Sequence, residues 1–425
     1  MKKTLLIALS IPLLLQAYTI PELFDALKQH SQTRSDEMVV QKSQVGSDLA
    51  TSQLYPKVNL FVSYDHYSSP TGLLPVPPNE LIQMLNSHNV IGQPFSNNIY
   101  KTGANFTMPI FVKSIYTAAD KALVLQKSAQ AKKRINLLKN EAIIVSTNAN
   151  YLYLVALDKS LDAKKSSLLE TKKTLQIKVD NGRAAASALY KINDGLNQVD
   201  ITKNSIALQT QTVISSIETL TGITLKAPIA MKQTNGYQKG NMGALEPLRK
   251  KLAADKLSIK IEKEKLYPAL LAHGSYAYSR ANAYNNDKTV NENYGNIGLL
   301  LNIPLLQMSQ HESVALSEVE AHSSELQLLK TSDELSSQAK MLESSLPLLE
   351  NSKKLYKHSI EDKKKLLEIA KVNYQNGRLS TEEYLRYEDD VVSEQAKLYK
   401  TEATIWQTQM QLAVIYANNI EEMIQ

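Results

Sequence analysis

The chain has no cysteine, one tryptophan and five phenylalanines, and beyond residue 17 it has no run of 18 apolar residues. Without cysteine there is no disulfide framework and no N-terminal cysteine to carry a lipid anchor. Without a long apolar run there is no transmembrane helix, which leaves either a soluble periplasmic protein or a membrane-inserted β-barrel. Catalytic signatures are missing as well. The sequence holds no Gly-rich phosphate loop, nucleophile elbow, Rossmann fingerprint or His-Glu-x-x-His spacing. Of the seven histidines only His311 and His322, 11 apart, could share a helix face, and two ligands do not make a metal site. The ten methionines are scattered, against a relay of soft copper ligands. Glu382-Glu383 and Glu388-Asp389-Asp390 read as the polar face of a helix rather than as paired catalytic carboxylates. No catalysis, cofactor or metal is expected, and a periplasmic hydrolase lacks any nucleophile–base set. The net charge of +6 is spread among matching acids, so it is no nucleic-acid footprint.

Residues 1–17 have the form of a secretory signal: Lys2 and Lys3, an apolar stretch from Thr4 to Leu15, and the small residue Ala17. About 12 apolar residues are too few to span a bilayer, so export with cleavage is expected rather than anchoring. The 21 tyrosines dominate the aromatic content and suit membrane interfaces or wet protein surfaces.

The chain also repeats itself. Met108-Pro109-Ile110 is echoed by Ile303-Pro304-Leu305, and Asn181-Gly182-Arg183 by Asn376-Gly377-Arg378. Pro109 and Gly182 are 73 residues apart, as are Pro304 and Gly377. A helix of that length reaches about 110 Å, far more than a globular core needs. Tyr55-Pro56 ends a helix begun at Pro21, and Tyr267-Pro268 echoes it. After Pro56, Val58, Leu60, Val62 and Tyr64 alternate with Asn59, Phe61, Ser63 and Asp65, the pattern of a strand with one apolar face. Similar strands are expected near 99–108, 270–279 and 294–303. The segments 67–97 and 280–293 are read as loops, the first rich in proline and glycine. The first hairpin, from Pro56 to Pro109, is 17 residues longer than the second, from Pro268 to Pro304.

The helices carry heptads. Ile135, Leu138, Ala142, Val145, Ala149, Leu152 and Ala156 step by three and four. Leu189, Ile192, Leu196, Val199, Ile206, Val213, Ile217 and Leu220 hold one register broken by Lys203 and Thr210. Segments 110–181 and 183–221 are therefore expected to form an antiparallel coiled-coil hairpin with its tip at Gly182, and 305–376 with 379–416 another at Gly377. Pro347 is expected to kink or split the longer helix of the second pair.

The organisation implied is a signal (1–17), a first repeat (18–221), a linker (222–244), a second repeat (245–416) and a tail (417–425). The fold class is mainly α with membrane β: long helices forming a tunnel, plus four strands. Four strands cannot close a barrel, and an open edge in lipid leaves backbone groups unsatisfied, so the chain must oligomerise. Two copies give a filled 8-stranded barrel; three give 12 strands and a channel.

This arrangement resembles the TolC-like outer membrane efflux proteins over almost all of 18–420. The resemblance rests on the two helix–strand–loop–strand–helix repeats, the Leu-Tyr-Pro junctions at 54–56 and 266–268, Pro109 and Pro304, and the Asn-Gly-Arg tips. It implies a homotrimer with a 12-strand barrel in outer-membrane lipid and a helical tunnel across the periplasm. Such a duct is a passive exit for efflux or type I secretion, coupled by a periplasmic adaptor to an inner-membrane pump. It also implies adaptor contact at Asn181, Gly182 and Arg183 and at Asn376, Gly377, Arg378, Leu379 and Ser380. Arg378-Leu379-Ser380 is similar to the family's Arg-Leu-Ser contact motif, whereas the first tip reads Arg183-Ala184-Ala185. Where several relatives carry two acids that ring the constriction, this chain has Glu383 and Arg386, which departs from the double-acid pattern. The alternative reading is a non-conducting coiled-coil scaffold of the envelope, which would not need the amphipathic strands.

Overall fold

The described residues form four strands and eight α-helices. A computed structural model describes residues 18–86 and 91–425; the expected signal at 1–17 lies outside the described residues. In chain order the elements are α1 (Ile20–Gln29), α2 (Ser31–Ser52), β1 (Lys57–Gly72), α3 (Pro78–Asn86), β2 (Phe95–Phe111), α4 (Lys113–Asp180), α5 (Ala186–Thr221), α6 (Glu246–Glu264), β3 (Ala269–Asn282), β4 (Thr289–Asn302), α7 (Met308–Gln375) and α8 (Thr381–Tyr416). The long helices α4 and α7 are each 68 residues, and α5 and α8 are each 36. The chain divides into two compact units, one comprising residues up to Val39, Gln130–Glu246 and Leu329–Gln425, the other Val40–Ala129 and Pro247–Leu328.

The second unit is built on a four-stranded antiparallel sheet in the order β1-β2-β3-β4. Its strands are longer than the alternation alone marked, because ladder pairing continues past the last apolar residue: β1 runs on to Gly72 and β2 starts at Phe95. The expected loop at 67–97 is thus partly strand and holds the helix α3 as well; residues 87–90 lie outside the described residues. The register sorts the side chains onto two faces. On one, Val58, Leu60 and Val62 lie beside Phe106, Ala104 and Thr102, and Ile297, Leu299 and Leu301 beside Gly274, Ala272 and Leu270. Leu60 and Val62 are each 84% exposed and Ile297 82%, so none of the described residues covers this apolar face. On the other face Asn59, Asn105, Ser275 and Asn296 form one cross-strand row, with Asn59 Nδ2 donating to Asn105 Oδ1 (3.2 Å) and Ser275 Oγ to Asn296 Oδ1 (2.6 Å). The same face carries Asp65, Lys101 and Glu292. Apolar on one side and mostly polar on the other is the pattern of a strand set between lipid and water.

The helices feeding this sheet meet around a buried acid. Glu264, at the end of α6, accepts from Thr117 Oγ1 of α4 at 2.5 Å, and its other oxygen lies 3.7 Å from Lys113 Nζ and 3.9 Å from Lys260 Nζ. Two cations and one hydroxyl offset the desolvation of that carboxylate. Ser324 Oγ of α7 donates to Asp255 of α6 at 2.6 Å, so α6 is tied to both long helices.

The other unit carries the core. Helix α1 starts with a reciprocal capping box: Thr19 N–H donates to the Glu22 carboxylate (2.8 Å) and Glu22 N–H to Thr19 Oγ1 (3.4 Å). Its Ile20, Leu23, Phe24 and Leu27, at helical spacing, are fully buried. The expected single helix from Pro21 to Leu54 is instead two helices. His30 is extended, and the Leu27 carbonyl is taken by His30 N–H (3.2 Å) and Thr33 Oγ1 (2.7 Å). Along α4 the seam shifts. Ile135, Leu138, Ala142, Val145 and Ala149 are buried as the heptad predicts. Beyond them Tyr151, Leu154, Leu157, Leu161, Leu168 and Leu175 take over while Leu152 and Ala156 are half-buried. A single stripe cannot serve because α4 packs both with α1 and the C-terminal tail and with α5. On α5 the predicted Ile192, Leu196, Val199, Ile206, Val213 and Ile217 are all buried. Lys203, which breaks that register, lies between Asp158 (2.8 Å) and Asp162 (2.6 Å) of α4.

Pro347 does not split α7, which runs through it unbroken. Its missing N–H removes a single rung, a cost of about 3 kcal/mol that a helix of this length and its packing absorb. The linker meets the tail as a short ribbon: Lys232 and Gln425 exchange both backbone bonds at 2.9 Å, and Thr234 N–H donates to Met423 O at 3.0 Å.

Glu141 of α4 is buried in this core, and one of its carboxylate oxygens accepts no hydrogen bond. Burial pushes its carboxyl from 4.5 up to about 7; the Glu421 carboxylate adds to the rise and the Lys28 ammonium opposes it. The folded state therefore binds this proton more tightly than the unfolded chain. The resulting stability is complete below pH 4.5 and is lost as pH rises through about 7, a contribution of at most about 3 kcal/mol. The prediction is that Glu141→Gln flattens the decline of the thermal midpoint across this window. Parallel profiles for the two proteins would refute it.

Candidate functional site

The two helical hairpins end in the same backbone motif. At the first, Gly182 has φ +69°, its N–H donates to Val179 O (2.9 Å) and Arg183 N–H reaches back to Lys178 O (2.7 Å). At the second, Gly377 has φ +73°, its N–H donates to Tyr374 O (3.0 Å) and Arg378 N–H to Asn373 O (2.9 Å). These paired bonds satisfy the last carbonyls of α4 and α7, and the left-handed conformation they need is the reason for glycine at both positions. Asn181, Gly182, Arg183, Asn376, Gly377, Arg378 and Ser380 are exposed and Leu379 is half-buried. Asn181 bonds locally, its Nδ2 donating to Ile177 O at 2.8 Å.

Beyond the turns the tips differ. Helix α5 begins after Ala185, which offers no side-chain cap. Helix α8 begins with a capping box in which Glu383 N–H donates to Ser380 Oγ (3.2 Å), while Ser380 N–H (3.0 Å) and Oγ–H (2.7 Å) donate to the Glu383 carboxylate. These bonds, with the Arg386 charge nearby, hold the Glu383 carboxyl below its usual range. Glu383 and Arg386 are both exposed and do not pair directly; within the chain, among the described residues, Arg386 forms no ion pair or hydrogen bond. The two line a polar cavity of about 740 Å³ together with Lys191, Asp194 and Lys164. Across its rim Lys191 pairs with Glu382 at 2.6 Å and Lys164 with Asp389.

Behind this surface lies a polar cluster that sequence reasoning missed. Tyr384 is fully buried and donates to Glu388 Oε1 at 2.6 Å; Ser167 Oγ of α4 donates to the same oxygen at 2.5 Å. Tyr384 also stacks on Tyr374 of α7, with ring centroids 4.9 Å apart. Burial, and then the Glu388 carboxylate, push the Tyr384 phenol up to about 12. Glu388 is thus no part of a solvated polar face. It is an acid held inside by two hydroxyls, joining the first hairpin to the second. The only available signal was weak: Tyr384 and Glu388 are one helical turn apart, the spacing of a side-chain pair.

No protein-family model and no curated protein matches this sequence. In three dimensions the chain is similar to the outer membrane protein VceC of Vibrio cholerae, with a TM-score of 0.77 over 93% of this chain and 96% of that one, at 14% identity. It is similar to the CmeC outer membrane channel of Campylobacter jejuni, with a TM-score of 0.78 over 94% and 85% of the two chains, at 15% identity. It is also similar to the open state of the MtrE outer membrane channel of Neisseria gonorrhoeae, with a TM-score of 0.74 over 93% and 88%, at 10% identity. The chain has the fold of the outer-membrane channels. At such identities the fold is what is shared, and the resemblance to the TolC-like proteins holds in architecture: long paired helices joined to a four-stranded antiparallel sheet.

In this channel fold the tip glycines bear directly on hairpin geometry. Gly377→Val should destabilise the chain by about 1–2 kcal/mol, because an L side chain resists the left-handed turn. Gly377→Asn should lose much less. Urea unfolding followed by circular dichroism measures both, and a valine variant as stable as the parent would exclude this account of the turn.

Proposed function

We propose that this protein is the outer-membrane exit duct of a tripartite efflux or type I secretion system. Three copies of the sheet close into a 12-stranded barrel, and the helices line a conduit across the periplasm. The observation that carries the reading is the sheet itself. Among the described residues it has an uncovered apolar face, a mostly polar face that includes Asp65, Lys101 and Glu292, and free edges at β1 and β4 that lipid would not tolerate without a neighbouring copy. The solved structures with this fold are described as outer-membrane proteins and channels, which supports the same placement. The signal-like sequence of residues 1–17 supports export.

In this reading the exposed turns 181–183 and 376–380 contact a periplasmic adaptor that couples the duct to an inner-membrane pump. Glu383 and Arg386 stand at the periplasmic constriction. Glu383 is already engaged by Ser380, so its charge is tied to the start of α8, and the unpaired Arg386 guanidinium is left to face the conduit or a neighbouring copy. The constriction therefore does not carry stacked carboxylate rings. The seven-step organisation of the long helices serves the tunnel wall.

A purified trimer, recognised by heat-modifiable migration and outer-membrane fractionation, should conduct ions in planar bilayers. A trimer that inserts and stays sealed under all voltages would favour the scaffold reading. Removal of the guanidinium by Arg386→Ala should raise single-channel conductance, and an unchanged value would take Arg386 out of the constriction.

A further inference from the structure

We propose that the outer end of the sheet's apolar face holds a binding site for the phosphorylated sugar headgroup of an outer-leaflet glycolipid. The register carries the placement. Tyr64 pairs with Tyr100 and Tyr100 with Arg280, and one step further out His66 pairs with Asn98 and Asn282 with Thr289. Residues two apart share a face, so these groups continue the same face as Val58, Leu60, Val62, Ile297 and Leu299. Apolar side chains thus give way, along each strand, to aromatic hydroxyls, amides and one guanidinium. That is the order in which acyl chains and headgroups follow one another across a leaflet.

The end of the face is also concave. The wall of a cavity of about 620 Å³ includes Tyr64, Asn98, Tyr100, Arg280 and Asn282, and it also includes one carboxylate, that of Asp287, which forms no ion pair with Arg280. The Tyr64 and Tyr100 rings lie 4.6 Å apart, tilted by 39°, and Tyr64 OH donates to Asn98 Oδ1 at 3.1 Å. Arg280 is exposed and, among the described residues, its guanidinium has neither an ion pair nor a hydrogen bond. Asn97 Oδ1, also in the cavity wall, is buried and accepts no hydrogen bond.

Each of these groups lacks something that one class of ligand supplies. A guanidinium that forms no ion pair matches a phosphate in a two-pronged bond. A buried amide oxygen without a donor matches a sugar hydroxyl. Paired tyrosine rings present flat apolar surface to the C–H face of a sugar, while their hydroxyls stay wet. Inorganic phosphate would meet only Arg280. The apolar strip directly below the cavity is where the acyl chains of the same molecule would lie, and this selects a lipid over a free anion.

The site rests on the barrel reading above, so conductance and lipid retention are measured on the same preparations. Trimers extracted from outer membranes are analysed for co-purified glycolipid by mass spectrometry, then stripped and titrated with bisphosphorylated lipid A, with its dephosphorylated form, and with inorganic phosphate. Arg280→Gln should conduct as the parent does and bind bisphosphorylated lipid A about tenfold more weakly, the loss of one charge-assisted hydrogen bond. The dephosphorylated lipid should not distinguish the two proteins. Tyr100→Ala should weaken both lipids alike. Equal retention of bisphosphorylated lipid A by the parent and Arg280→Gln would overturn the site, as would inorganic phosphate competing at the affinity of the lipid. Protein that never inserts or conducts would instead overturn the barrel reading, and the site with it.

Discussion

Strands β1 and β4 each present, along one edge, a row of backbone N–H and C=O groups that pair with no other strand among the described residues. In water such an edge invites aggregation; in hydrocarbon it is worse, because each unpaired group costs several kcal/mol. The apolar face beside those edges cannot be left in water either. In the proposed duct, closure against further copies in a membrane meets both demands at once. Every strand also continues into a helix at one end: α2 into β1, β2 into α4, α6 into β3 and β4 into α7. Closing the sheet would therefore set the spacing at which those helices begin. Glu264, with Thr117, Lys113 and Lys260 around it, holds one of these junctions in place.

The hairpin ends show how one motif is made to serve two purposes. Both turns use a left-handed glycine to satisfy the carbonyls of the preceding helix. Only the second adds a capping box, and only behind the second do Tyr384, Glu388 and Ser167 share hydrogen bonds across the two hairpins. A buried carboxylate of this kind tolerates little displacement, since moving Ser167 or Tyr384 away would leave it unsatisfied. The paired helices of the two halves match in length, but the polar groups that hold their ends do not.

Much of the site was legible in the sequence, though not always for its whole role. The tips were marked by the repeat and by glycine, and their local physics is short-range, so position and conformation came together. Ser380 and Glu383 form an S-x-x-E box that also could have been read locally. What could not be read was Glu388. Three acids in a row on a helix look solvated, and Ser167, the hydroxyl that helps bury this one, comes from a residue 221 positions away. Pro347 and the seam of α4 show the same limit. A proline rule and a heptad rule describe a helix by itself, whereas α7 and α4 are governed by what packs on each side.

By itself the sequence determined the elements: which segments alternate, which carry heptads, where the turns fall, and that the two halves are alike. Periodicity of 2 or 3.5 and the special backbone of glycine act within a few residues, so they survive without knowledge of the partners. The tertiary structure decided the rest: the break at His30, the extra helix α3 between β1 and β2, the shift of the α4 seam, and the burial of Glu141, Glu264 and Glu388. It also placed Tyr64, Tyr100 and Arg280 around one cavity. Those outcomes depend on contacts between segments far apart in the chain, and whether a polar side chain is hydrated, paired or buried is settled only when its neighbours arrive.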